Sequence, residues 1–159
     1  MKRVQKIYEH MLYQESLGKN REMEEGRIFC RHDMNHFLDV ARLAYLFALE
    51  RGYRFSKEEI YAAALLHDIG RWKQYSEGVP HEEASAQIAE IILLETGFDM
   101  AERTRILEAI SSHRRADSNL APFAEILYDA DKRSRACYAC PAEKECNWET
   151  QKKNLEIIW

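Results

Sequence analysis

The 159-residue chain has few backbone breakers, six glycines and three prolines scattered singly. That excludes collagen-like and Gly-rich linker sequences, and leaves these residues as punctuation between regular elements. A long apolar run is also missing. The longest uninterrupted apolar stretches, Leu43–Leu49 and Ile60–Leu66, are seven residues each, far short of the roughly 20 residues that a membrane-spanning helix needs. The opening MKRVQKIYEHMLYQ is basic, but Glu9, His10 and Gln14 interrupt it, so it lacks the apolar core of a secretory signal. There is no positive excess: the net charge is −4, which argues against a surface made for nucleic-acid backbones. A phosphate-cradling glycine loop, H-E-x-x-H and G-x-S-x-G are absent, as is any alternating run long enough for a strand. A cytoplasmic chain without membrane or nucleic-acid partners is the expectation.

What is present is helical. Apolar residues make up 46% of the chain and charged residues 31%, an ordinary balance for a chain that buries its own core. Apolar positions recur at helical spacing in Val40, Leu43, Ala44, Phe47 and Ala48. They do so again in Ala84, Ile88, Ala89, Ile92 and Leu93, and in Ile106, Ala109 and Ile110. Ser56 with Glu59, and Asp99 with Glu102, have the spacing of capping boxes. Gly18, Gly52, Gly70 and Gly97 each follow a helix-like stretch, as C-terminal glycines do. The expectation is an all-α bundle of about six to seven helices, near 3–16, 30–51, 57–69, 82–96, 100–113, 120–136 and 149–158.

Chemistry-bearing residues fall at the ends or inward faces of these helices. His36 heads the Val40, Leu43, Phe47 face; His67 and Asp68 close the very apolar YAAALLHDIG; His113 continues the Ile106, Ala109, Ile110 face; Asp131 lies four residues after Leu127. Each polar group is costly to bury alone. A shared divalent cation satisfies all of them, and imidazole with carboxylate suits Zn, Fe, Mn or Ni. Any one such histidine is ordinarily a hydrogen-bonded core residue, and a second His-Asp pair, His32-Asp33, shows how little a dipeptide means. The joint pattern carries the weight.

NHFLDVARLA (35–44), AAALLHDIGR (62–71) and LYDADKRSR (127–135) together resemble the HD-domain (HDIG-type) metal-dependent phosphohydrolases. The resemblance covers about residues 30 to 135. It implies an all-α HD domain over 1–159, with a Cys-rich C-terminal extension at 137–159, and a metal held by His36, His67, Asp68 and Asp131. His81, thirteen residues after Asp68, and His113, eighteen before Asp131, look like the dinuclear HD branch. That branch includes diadenosine-tetraphosphate hydrolases and cyclic-dinucleotide phosphodiesterases. There Asp68 bridges two metals, and His81 and His113 complete the second site; with one metal, these two histidines become outer or substrate contacts. No GYP follows the HD motif, a departure from the cyclic-dinucleotide branch.

The implied reaction is hydrolysis of a small phosphorylated, nucleotide-like substrate by metal-activated water. Basic residues follow three of the candidate ligands. With Asp68, Arg71 and Lys132 are the candidate catalytic groups, and Arg114, Arg115 and Arg135 the candidate substrate contacts, because arginine forks match phosphate oxygens. Solvated helix-end charge is the plain alternative. His32, four residues before His36, is either an outer-shell group or exposed. Two other functions stay open: a di-iron oxygenase resembling inositol oxygenase, and a non-catalytic metal or redox sensor.

Cysteine is scarce but clustered. Cys137, Cys140 and Cys146 form C-x2-C-x5-C, and Cys30 stands apart. Cys30 lies six residues before His36, and Cys137 six after Asp131. Antiparallel helices would bring both to one end, roughly 9 Å along the axis from the first metal. Four such cysteines suit Zn or an iron–sulfur cluster; a reactive or redox pair and inert thiols are the alternatives.

Overall fold

The sequence YAAALL is apolar on every side, and a helix with that pattern has to be buried all round. In the computed structural model, which describes residues 1–113 and 119–158, that helix is α4 (Lys57–Leu66), with Ile60 and Ala62 through Leu66 buried. Around it lie α1 (Lys2–Glu9), α3 (Met34–Glu50), α6 (His81–Glu95), α7 (Met100–Ser112) and α8 (Pro122–Arg133). The remaining helices are α2 (Met11–Met23) and α5 (Arg71–Glu77), which pack on each other and on α6. No strand occurs among the described residues, and no helix there is long and apolar enough to cross a membrane. The fold is an all-α bundle.

α3 buries Phe37, Val40, Ala41, Ala44, Phe47 and Ala48 against α4 and α8. Ridges of small and large residues alternate along this face, as close packing of helices requires. Both capping boxes form: Ser56–Glu59 opens α4 and Asp99–Glu102 opens α7.

Several expected boundaries are corrected. The 3–16 helix is two helices, because His10 adopts extended ψ 130 and its Nδ1 accepts from Leu12 N–H. α2 then runs through Gly18, so Gly18 ends nothing. α3 starts at Met34, not 30, since the Asp33 carboxylate accepts from the N–H groups of Asn35 and His36. α5 was not expected at all; it has no buried residue, hence no apolar period to betray it. The 149–158 segment is only a 3-10 turn at Thr150–Lys152, and its Leu155, Ile157 and Ile158 are exposed.

Gly70 serves closeness rather than a left-handed turn. Its φ is −92°, but a Cβ there would lie 2.4 Å from Ser85 N and 2.6 Å from Ala84 C. The α4–α5 corner thus presses on α6, and Gly70 N–H donates to Ser85 Oγ at 2.9 Å. This fixes the height of His67 and Asp68 against His81.

Candidate metal centre

α4, α7 and α8 end at one place, and α3 and α6 begin there. His67 and His113 are the C-caps of α4 and α7, His81 is the first residue of α6, His36 is in the first turn of α3, and Asp131 is in the last turn of α8. With Asp68 they form two groups. Donor atoms of His36, His67, Asp68 and Asp131 lie within 4.8 Å of one another, as do those of Asp68, His81 and His113. All six residues are buried. No cysteine belongs to either group.

Asp68 belongs to both groups through different oxygens. Its Oδ2 lies 3.4 Å from His67 Nε2, and its Oδ1 lies 3.1 Å from His81 Nε2 and 3.5 Å from His113 Nε2. Asp131 Oδ1 lies 3.4 Å from His36 Nε2 and 3.7 Å from His67 Nε2.

Each imidazole is oriented from behind. His67 Nδ1–H donates to the Ala64 carbonyl at 2.7 Å, and His113 Nδ1–H to the Ile110 carbonyl at 2.5 Å. His81 Nδ1–H donates to Gln74 Oε1 at 2.5 Å. Ser134 donates its single hydroxyl proton to the Asp131 carbonyl at 2.8 Å, so its Oγ accepts from His36 Nδ1–H at 3.2 Å. A neutral ring with its proton on Nδ1 turns the Nε2 lone pair inward. Four lone pairs therefore face two carboxylates.

Arg135 Nη2 lies 3.1 Å from His36 Nε2 and Arg71 Nη1 3.3 Å from His81 Nε2, which leaves His67 as the ring that the protein does not satisfy. His67 Nε2 is fully buried and has no hydrogen-bond partner. His81 Nε2 and His113 Nε2 stand 3.2 Å apart. A buried acceptor without a donor is costly, and a divalent cation is what this donor set fits. Burial opposes ionisation of Asp68, yet the neighbouring His67, Arg71 and His32 hold its carboxyl well below the ordinary range. Burial likewise opposes ionisation of Asp131, yet the adjacent His36 and His67 and then the charges of Lys132 and Arg135 hold its carboxyl well below the ordinary range. Burial pushes His36 down to about 3, helped by the Arg135 charge. Burial pushes His81 down to about 3 as well, despite Asp68. His113 alone of the candidate-ligand histidines is shifted upward: Asp68 outweighs burial there, so the carboxylate demands positive charge at that point.

Residues 34–136 match the HD domain, 103 positions that contain all six of these residues. The chain belongs to the HD-domain family. This HD-domain chain is 44% identical over 143 residues to an uncharacterized protein of Clostridium beijerinckii, the match covering 90% of each chain. It is also similar to the crystal structure of a predicted HD superfamily hydrolase from an uncultured Thermotogales bacterium, with a TM-score of 0.57 and 31% identity. That match covers 74% of this chain and spans 65% of the other.

Three of the expected cations reach the centre. Arg71 Nη1 lies 3.4 Å from Asp68 Oδ1, Lys132 Nζ 2.6 Å from Asp131 Oδ2, and Arg135 Nη2 3.4 Å from Asp131 Oδ1. Arg114 and Arg115 lie outside the described residues. His32 is buried rather than exposed: its Nδ1–H donates to Glu24 Oε1 at 2.5 Å and its Nε2 faces Asp68 Oδ2 at 3.6 Å. Burial works against the Glu24 carboxylate, but His32 holds it at about 2. Residues that the sequence reading passed over orient the centre: Glu24, Gln74, Ser134 and Asn20, whose Nδ2 donates to the Asp68 carbonyl at 3.0 Å. For Asn20 the only linear signal was a polar residue on a helix face shared with Tyr13 and Leu17, all buried.

Cys30 and Cys137 lie outside α3 and α8, so a helical rise does not measure their distance from the centre. They do share one end of the fold. Cys30, Cys137 and Cys146 line the same cavity as Asp68 and Asp131.

Proposed function

We propose that this HD-domain chain is a two-metal phosphohydrolase acting on a small, nucleotide-like phosphoester or phosphoanhydride. The observation that carries the reading is Asp68, whose two oxygens face two separate sets of imidazole lone pairs. His36, His67, Asp68 and Asp131 would hold one ion, and Asp68, His81 and His113 the other, as Fe, Mn, Zn or Ni. Such ions lower the pKa of water toward neutrality and offset charge on substrate oxygens.

The chain's own groups supply binding and proton handling. The cavity above the centre is about 250 Å³, below the usual range for a whole drug-sized ligand. It accommodates a phosphoryl head, while a base or second phosphate extends past its rim. Arg71, Lys132 and Arg135 line it and present donors that suit phosphate oxygens. This cationic ring favours phosphate transfer over oxygen activation. Arg114 and Arg115, just after His113 in sequence, remain candidate contacts to the same substrate. His32 Nε2 opens on the cavity beside Asp68; it can accept a proton there, and Glu24 stabilises the resulting imidazolium through Nδ1–H.

The test loads purified protein anaerobically with Mn(II) or Fe(II) and offers phosphomonoesters, mononucleotides and dinucleoside polyphosphates. Saturable release of phosphate or nucleotide is expected, and Asp68→Ala abolishes it with helical circular dichroism retained. Protein carrying both ions that hydrolyses none of these, or that consumes oxygen instead, overturns the reading.

A further inference from the structure

The C-terminal segment has almost nothing apolar to hold it. Beyond α8, residues 134–158 contain two 3-10 turns and no α-helix. Tyr138, Leu155, Ile157 and Ile158 are exposed, and only Cys137 and Ala142 are buried among its apolar side chains. Short segments without a core need a staple, whether disulfide or metal. All four cysteines of the chain are free thiols, and all four lie at this corner.

Their placement is convergent. Cys137, in the turn Cys137–Ala139, is the hub. It shares the metal-centre cavity with Cys30 and Cys146, and a shallow outer pocket with Cys140. Cys140 N–H donates to the Cys137 carbonyl at 3.2 Å, closing the C-x2-C turn. Burial pushes the Cys137 thiol up, and the neighbouring Cys30, Cys146 and Cys140 add to it.

Two nearby groups work the other way and favour a thiolate. The Asn154 backbone N–H is directed at the Cys137 sulfur. Asn154 is itself fixed, with Nδ2 donating to the carbonyls of Lys132 at 2.8 Å and Arg135 at 2.9 Å. Lys153 Nζ, anchored on the Glu143 carbonyl at 2.8 Å and on its Oε1 at 2.7 Å, adds a positive charge near Cys146 and Cys137. Thiolates need such donors and cations.

We propose that Cys30, Cys137, Cys140 and Cys146 bind one zinc ion, which staples residues 137–158 to the loop ahead of α3 and so fixes one wall of the cavity. The C-x2-C pair, with Cys146 after it and Cys30 far upstream, offers the four thiolates of a closed tetrahedral site, whereas C-x2-C-x5-C matches neither common ferredoxin spacing. No three of the sulfurs lie within 4.8 Å of one another. Binding therefore draws the two loops together, and metal completes the site instead of filling a rigid one. The wall it sets is formed by Asn147 and Trp148, which line the cavity and directly follow Cys146.

Cobalt(II) is the probe, added to full-length metal-free protein under anaerobic conditions. A sulfur-to-cobalt charge-transfer band in the near ultraviolet reports thiolate ligation alone, because the His/Asp centre offers only nitrogen and oxygen. The result is thus independent of the phosphohydrolase reading. The band is expected to appear, to vanish in Cys30→Ser and in Cys140→Ser with helical content kept, and to be displaced by one equivalent of zinc. Zinc should also slow trypsin cleavage at the lysines of 144–153 in the wild type and not in Cys30→Ser. A missing band in the wild type, a band that survives Cys30→Ser, or iron with acid-labile sulfide in anaerobically purified protein overturns the zinc site.

Discussion

α4 and α7 each carry one charge network at the start and another at the end, and the two networks are built on opposite principles. At the start, Arg3 of α1 reaches Glu58 at 2.7 Å and Glu102 at 2.6 and 2.9 Å, with its guanidinium 4.1 Å from the Phe98 ring centroid. The acids sit in the first turns of α4 and α7, where the helix dipole favours them. Arg3, Glu58 and Glu102 thus find their opposite charges within the protein. At the other end, about nine residues or roughly 14 Å along α4, the buried His67 Nε2 has no hydrogen-bond partner, and His81 Nε2 and His113 Nε2 crowd to 3.2 Å. A polar cluster that completes itself reads as structure. One that is held rigidly from behind and left incomplete in front reads as a site.

Removing Asp68 should break this contrast most severely. Asp68→Ala is expected to lose both ions of the centre, since each group uses one of its oxygens. His113→Ala should lose one ion and keep the other, while Arg3→Ala should keep both. Metal counts on the three variants, with thiolate-bound metal separated by the cobalt spectrum, decide it. Equal metal content in Asp68→Ala and wild type would refute the bridging role.

The next test touches no candidate ligand. Ser134→Ala removes the acceptor of His36 Nδ1–H, and Gln74→Ala removes that of His81. Outer partners of this kind are worth roughly 10–100-fold in metal affinity. Chelator competition should show Ser134→Ala weakening the four-residue group and Gln74→Ala the three-residue group. Unchanged affinity in both would mean that the rings are held by packing alone.

Gly70→Ala separates space from conformation, because φ −92° suits alanine while the added Cβ meets the Ser85 and Ala84 backbone. Overpacking of this order costs about 1–3 kcal/mol. Thermal unfolding of the metal-free protein should register it, and metal affinity should fall with it. An unaltered midpoint would show that α6 yields freely.

The sequence exposed these two networks unequally. The apolar period of α3, α4, α6 and α7 made those helices legible, and the motif spacing brought His36, His67, Asp68, His81, His113 and Asp131 forward together. α5 was hidden because RWKQYSE buries nothing, yet it brings Arg71 and Gln74 to the centre. His32 was ambiguous because its meaning lies in Glu24, eight residues earlier and across a turn. The tail looked helical because Leu155, Ile157 and Ile158 mimic an apolar face that finds nothing to cover it. Arg3 went unremarked for the opposite reason: an isolated arginine near a terminus gives no pattern, and its partners lie 55 and 99 positions away.

The smallest expected effect belongs to Arg3, and its sign with pH is definite. The hydrogen bond from Arg3 is the largest cause lowering Glu58, ahead of opposing burial, and the same bond leads for Glu102. Both carboxyls therefore titrate lower in the folded chain than the ordinary 4.5. Folding then gains stability from them above 4.5 and loses it as pH falls through their folded values. Arg3→Met keeps the stem that packs on Phe98 and removes the charge. Because the pairs are part-exposed, the loss near neutral pH should be on the order of 1 kcal/mol or less, and smaller still in high salt. Urea midpoints of wild type and Arg3→Met, both metal-free so that the centre contributes equally, should differ at neutral pH and converge in acid. A gap that persists unchanged in acid would place the contribution of Arg3 in its packing, and the self-completed network would then owe little to charge.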